Sequence, residues 1–156
     1  KRSNLLWTGG TRYCAAEFTR SHSMPQKILV VDDEQDTLIL LEMTLQLAGY
    51  EVAKAYTGQM AISLLSEFKP DLVILDVMMP GESGLDILGI IKRDFENPPP
   101  VVMFSARGRI EDMVEGMEAG AYKYLVKPIS REKLLETVKS ALTSRAGAPR
   151  RKQEPK

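Results

Sequence analysis

Four short runs of apolar or β-branched residues in this chain each give way to a polar side chain. KILVV (27–31) leads into Asp32 and Asp33, DLVIL (71–75) into Asp76, VVMF (101–104) into Ser105, and YKYLV (122–126) into Lys127. Together with EVAKA, they predict strands near 27–31, 51–55, 71–75, 100–105 and 122–126. The first, third and fourth runs lack an apolar–polar alternation, as strands covered on both faces do. Segments near 36–48, 58–68, 84–95, 109–119 and 130–143 carry helical spacing instead. Gly49 supplies a helix stop. Ser83, with Asp86 three positions on, loosely resembles a capping box. Ser130 is placed to cap the last helix, whose Leu134, Leu135, Val138 and Leu142 follow one face. Five β-α units joined by short connections predict right-handed crossovers and a doubly wound parallel α/β sheet. In such a sheet the polar residues that end the strands gather at the carboxyl edge, where open α/β sheets build their sites.

Composition narrows the picture. A chain of 156 residues accommodates one domain with a substantial core. Lysine plus arginine equals aspartate plus glutamate at 21 each, so the charge balance points to neither nucleic acid nor a membrane surface. Cys14 is the sole cysteine, which excludes an intrachain disulfide and a cysteine metal cluster and fits a reducing, cytoplasmic setting. No apolar run approaches the roughly 18 residues that span a bilayer. Residues 1–23 show no sustained period and are expected to form an extension outside the fold, with Met24 a sensible native start. The folded unit is expected over 24–143. From Ser144 onward a tail rich in arginine and lysine reads as a disordered tail or linker stub, without the aromatics that stack on bases.

The polar residues at the strand ends define candidate chemistry. Asp32, Asp33 and Asp76 placed together disfavour one another's ionisation. A divalent cation relieves that conflict, and Mg²⁺, an oxygen-seeking ion that binds phosphate through one or two carboxylates, suits the set best. The acidic triplet 32–34 has a plainer reading as an exposed turn that serves the first helix. An aspartate beside Mg²⁺ can attack phosphorus to form an aspartyl phosphate. Lys127 offers a compact positive charge to a phosphoryl oxygen, and Ser105 offers a hydroxyl. Taken singly, each is an ordinary strand-end residue; their conjunction carries the reading.

These residues lie in VVDDE (Val30–Glu34), DVMMPGESG (Asp76–Gly84), Ser105-Ala106 and GAYKYLVKP (Gly120–Pro128). In this set, from about residue 26 to 143, the chain resembles the receiver domain of bacterial two-component response regulators. The resemblance implies a flavodoxin-like, five-stranded parallel sheet of order 2-1-3-4-5 with five helices. It implies Asp76 as phosphoacceptor, Asp33 as a direct Mg²⁺ ligand, Asp32 as a ligand largely through water, and the Met78 carbonyl as a further ligand. Ser105 and Lys127 would contact the phosphoryl group, the Lys127–Pro128 bond would be cis, and Tyr124 would be the switch aromatic, turning inward as Ser105 moves. Met78 and Arg107 would occupy the positions that tune dephosphorylation. The implied function is phosphoryl acceptance from a sensor histidine kinase or a histidine phosphotransfer protein. Output would pass through the face of the fourth helix, fifth strand and fifth helix to a downstream protein or fused effector, or to a phosphorylation-dependent homodimer. The protein would catalyse its own phosphorylation and dephosphorylation rather than act as a multi-turnover enzyme.

Other readings stay in view. A phosphatase of the haloacid-dehalogenase kind requires a second aspartate two positions after its nucleophile, and Asp76-Val77-Met78 lacks it. No phosphate-binding G-x-x-x-x-G-K-[ST] loop occurs. A receiver-fold interaction module that works without phosphorylation is the remaining alternative. Two features are ambiguous. The first helix carries one apolar stripe of Leu38, Leu41, Leu45 and Ala48 and another of Leu40, Met43 and Leu47, readable as a wide core face or as a core face plus a docking patch. Gly116, inside the fourth helix, lowers helix stability by about 1 kcal/mol relative to alanine. It fits either a mobile helix or close packing.

Overall fold

A computed structural model describes residues 24–146. The elements alternate strictly: β1 (Lys27–Val31), α1 (Gln35–Leu47), β2 (Glu51–Ala55), α2 (Gly58–Glu67), β3 (Leu72–Asp76), α3 (Gly84–Asp94), β4 (Val101–Ser105), α4 (Ile110–Glu118), β5 (Lys123–Val126) and α5 (Arg131–Ala146). The strands form one parallel sheet in the order β2-β1-β3-β4-β5, as the sequence implied. All five residues of both β3 and β4 are buried, which accounts for the absence of alternation in their sequences. β2, at an edge, is only partly covered.

Successive strand residues feed two separate cores. Leu29, Val31, Val73, Leu75, Val101, Met103 and Tyr124 face one side, where Ala61 and Leu65 of α2 and Ile87, Leu88 and Ile91 of α3 meet them. Ile28, Val30, Leu72, Ile74, Val102, Phe104 and Leu125 face the other, under Leu38, Leu41 and Leu45 of α1 and Leu134, Val138, Ala141 and Leu142 of α5. The period of two within each strand therefore assigns α1 and α5 to one layer and α2 and α3 to the opposite one.

Local signals behave as their chemistry requires. Gly49 takes φ +95° just past α1, a left-handed conformation open to glycine. The Ser83 hydroxyl accepts from the Leu85 amide at 3.2 Å and that of Ser130 from the Lys133 amide at 3.2 Å, so both cap their helices. α5 runs on to Ala146, three residues beyond the expected end. The Arg145 guanidinium donates to the Pro70 carbonyl at 2.8 Å and approaches Asp71 at 3.5 Å, tying this last turn to the start of β3. Expectations for residues 1–23 and for the tail beyond Ala146 lie outside the described residues. Among the described residues no helix is long and apolar enough to cross a membrane.

The two stripes of α1 resolve cleanly. Leu38, Leu41 and Leu45 are buried, whereas Leu40, Met43 and Leu47 lie open to solvent. Ala48 departs from the expected inner stripe, because it is the exposed residue that ends the helix. Truncating fully buried Leu38 to alanine should cost about 2–5 kcal/mol in urea unfolding. Leu40→Ala should cost within about 0.5 kcal/mol. Equal costs would contradict this orientation of α1.

Candidate functional site

The register of the sheet brings the strand-end residues together. Val31 of β1 pairs with Leu75 of β3, so the residues that follow, Asp32 and Asp76, emerge side by side. Ser105 closes β4 opposite Val126 of β5, and Lys127 follows immediately. The Lys127 amide then donates to the Ser105 carbonyl at 2.8 Å, extending the ladder one step to the edge. Carboxylate oxygens from Asp32, Asp33 and Asp76 lie within 4.8 Å of one another. The Lys127 ammonium reaches Asp32 at 2.7 Å and Asp76 at 3.9 Å. Its Nζ lies over the Phe104 ring, 5.0 Å from the centroid.

Burial separates the roles open to these acids. Asp32 is 1% exposed and Asp76 6% exposed, whereas Asp33 opens to solvent. Asp32 is held by two contacts: one carboxylate oxygen accepts from the Glu34 amide at 2.9 Å, and the other takes the Lys127 ammonium. Asp76 accepts from the Met78 amide at 3.3 Å. Burial, then the neighbouring Asp32 charge and more weakly Asp33, push the Asp76 carboxyl up to about 6 from an ordinary 3.8, against the opposing pull of Lys127 and the Met78 amide. At neutral pH Asp76 is thus mostly ionised, and more basic than a surface aspartate.

The loop after Asp76 is held against the strand by backbone geometry. Met78 bridges Ser83, the Gly84 amide donates to the Val77 carbonyl at 2.9 Å, and Gly81 turns the chain with φ +83°. Gly84 opens α3 directly over the end of β3. A Cβ there would strike the Asp76 carbonyl oxygen and lie 2.8 Å from the Val77 Cα, both backbone atoms that cannot step aside. Glycine at this position is therefore what allows α3 to pack beside the acidic cluster.

Every candidate residue from the sequence falls at this edge or beside it. The Lys127–Pro128 bond is cis. Ser105 is fully buried, and its hydroxyl accepts from the Arg107 amide at 3.1 Å. Tyr124 already lies inward at the back of the β4–α4 loop, its hydroxyl donating to the Arg107 carbonyl at 3.0 Å. The inward turn that the resemblance tied to movement of Ser105 is thus in place while Ser105 holds the Arg107 amide. Met78 is half-exposed, and the Arg107 guanidinium leans toward Asp112 at 3.9 Å. The sequence did not disclose that the Arg107 backbone bridges Ser105 and Tyr124, since no side-chain pattern encodes a main-chain acceptor. Nor did it disclose the ring of Phe104 beneath Lys127.

The donor set fits a magnesium ion. It comprises carboxylate oxygens from three residues, with no histidine or thiol, beside a loop whose Met78 carbonyl is of the same hard-oxygen type.

The raised Asp76 couples folding to pH. Its carboxyl binds a proton more tightly in the folded chain than in the unfolded one. The resulting destabilisation is absent below about pH 4, grows from about 4 to 6, and is fully present above that. Asp76→Asn should therefore raise stability at pH 7.5 in metal-free buffer, by on the order of 1–3 kcal/mol. That gain should vanish toward pH 4, as followed by urea unfolding across pH. A gain independent of pH would refute this electrostatic account.

The response regulator receiver domain family pattern matches residues 28–139. Solved structures similar to the chain include a CheY-like response regulator receiver domain from Methanospirillum hungatei JF-1, at 26% identity and TM-score 0.73, covering 78% of this chain and 97% of that one. The chemotaxis protein CheY4 of Vibrio cholerae is 32% identical with TM-score 0.69, covering 75% of this chain and 98% of that one. NtrX from Brucella abortus, crystallised with ATP, is 34% identical with TM-score 0.74, covering 79% of this chain but only 28% of its own much longer chain. With five parallel strands in the order β2-β1-β3-β4-β5 and an acidic cluster at their carboxyl edge, the chain belongs to the response regulator receiver domain family.

Proposed function

We propose that the protein accepts a phosphoryl group from a histidine kinase or histidine phosphotransfer protein onto Asp76, with Mg²⁺ as cofactor, and signals through the face built by α4, β5 and α5. The observation that carries this reading is the convergence of three carboxylates and the Lys127 ammonium around a buried aspartate of raised basicity. Asp33 and Asp76, with Asp32 largely through water and the Met78 carbonyl, would hold the metal, which when bound neutralises charge on phosphoryl oxygens.

The chain's own groups do the rest. An Asp76 carboxylate oxygen forms the new bond to phosphorus as the bond from phosphorus to the donor breaks; a histidine donor leaves with its imidazole nitrogen free to take a proton. Lys127 is placed to balance the charge gained at Asp76, and the Ser105 hydroxyl supplies a hydrogen bond to a phosphoryl oxygen. Drawing Ser105 toward the phosphoryl group takes the acceptor from the Arg107 amide. The Arg107 carbonyl holds the Tyr124 hydroxyl, so displacement of this loop is felt at Tyr124 and α4. The open stripe of Leu40, Met43 and Leu47 on α1 is available for the donor's helices, and Ile110, Val114 and Met117 of α4 are exposed for output or self-association. The protein acts as a phosphoacceptor that turns over its own phosphoryl group, not as a multi-turnover enzyme.

Intact mass after incubation with acetyl phosphate tests this. A gain of one phosphoryl group that requires Mg²⁺ and disappears in Asp76→Asn is expected. No gain, under conditions that label a control receiver, would overturn the proposal in favour of an interaction module independent of phosphorylation.

A further inference from the structure

α4 buries one residue, Gly116, and that residue faces the ring of Tyr124. Glycine is a poor choice inside a helix, second only to proline. No left-handed backbone conformation calls for it here, since the positive-φ glycines are Gly49, Gly81 and Gly120. What the position lacks is room. A Cβ at 116 would lie 3.0 Å from Cδ2 and 3.4 Å from Cε2 of Tyr124, with Met103 Cγ at 3.8 Å. The first distance is well inside the roughly 3.5–4.0 Å optimum between carbon atoms.

The ring has little freedom to retreat. Its far end is tethered through the hydroxyl to the Arg107 carbonyl at 3.0 Å. Its body belongs to the core that includes fully buried Met103 of β4 and Ile91 of α3. An added methyl on α4 must then be met by a shift of a few tenths of an ångström in the ring or in the helix.

We propose that Gly116 is a positioning residue for Tyr124: the missing Cβ on α4 lets the ring seat inward with its hydroxyl on Arg107, and a side chain there disturbs that seat. The consequence for signalling rests on the reading of Tyr124 as the switch aromatic; the packing consequence does not. If Tyr124 carries the state of the β4–α4 loop to the output face, the residue at 116 sets how strongly phosphorylation and that face are coupled. It does so without touching the phosphoacceptor.

The test compares Gly116→Ala with wild type in the full chain, and again in a Tyr124→Ala background. Helix propensity alone makes Gly116→Ala raise the melting temperature. With the ring absent that rise should appear; with the ring present it should be abolished or reversed, a non-additivity that reports direct contact. In ¹³C-tyrosine NMR of the unphosphorylated protein, assigned by Tyr124→Phe, Gly116→Ala should shift the Tyr124 ring signals. An equal rise in both backgrounds, or ring signals unchanged, would overturn the proposal. Should Tyr124→Ala fail to fold, the ring signals decide alone.

With acetyl phosphate and Mg²⁺, Gly116→Ala should still label at Asp76, by intact mass, while the phosphorylation-induced shifts of α4 amides fall by about half or more. Full shifts would overturn the coupling. Failure of wild type to label would count against the phosphoacceptor reading, and the ring signals of the unphosphorylated protein would still decide the seating of Tyr124.

Discussion

Three carboxylates held within 4.8 Å of one another are the constraint around which this chain is organised. Left to themselves they repel, and two of them are buried, so the arrangement is unfavourable to folding on its own. What holds it is the sheet. β1 and β3 are packed on both faces, and their register delivers Asp32 and Asp76 to the same edge whether or not the charges are content there. Lys127 offsets part of the repulsion, and a bound divalent cation would offset more. Stability is given up at this edge in return for a carboxylate that is unusually basic for an aspartate.

The same edge is wired to the rest of the molecule through main chain as much as side chain. Ser105, Arg107 and Tyr124 form a short sequence of hydrogen bonds in which the amide and the carbonyl of Arg107 are the two middle links. Ser105 and Tyr124 are thereby tied to the same residue of the β4–α4 loop. α4, packed against Tyr124 through a residue without a side chain, is the neighbouring element with least of its own surface in the core. Under the proposed function, these contacts are what would carry a change at the acidic cluster toward α4.

Much of this was legible in the sequence because the strands in question are fully buried. Continuous apolar runs ending in Asp32, Asp76, Ser105 and Lys127 disclose both the sheet and its edge, and four separated motifs fix the family. Other features depend on contacts remote in sequence. α5 reaches Ala146 because Arg145 meets Pro70 and Asp71, residues with no local signature in the tail. The two apolar stripes of α1 were equivalent on paper; only the sheet beneath decides which is inner. Gly116 read equally well as a mark of mobility or of close packing, and the ring of Tyr124 chooses the second.

An acidic cluster that binds a metal differs from a plain acidic turn in how its buried aspartate titrates. The most direct measurement is the titration of the Asp76 carboxyl by ¹³C NMR, in metal-free buffer and again with saturating Mg²⁺. A midpoint near 6 without metal should fall by about one unit or more when Mg²⁺ is present, because the cation favours the ionised form. The same midpoint in both buffers would contradict it.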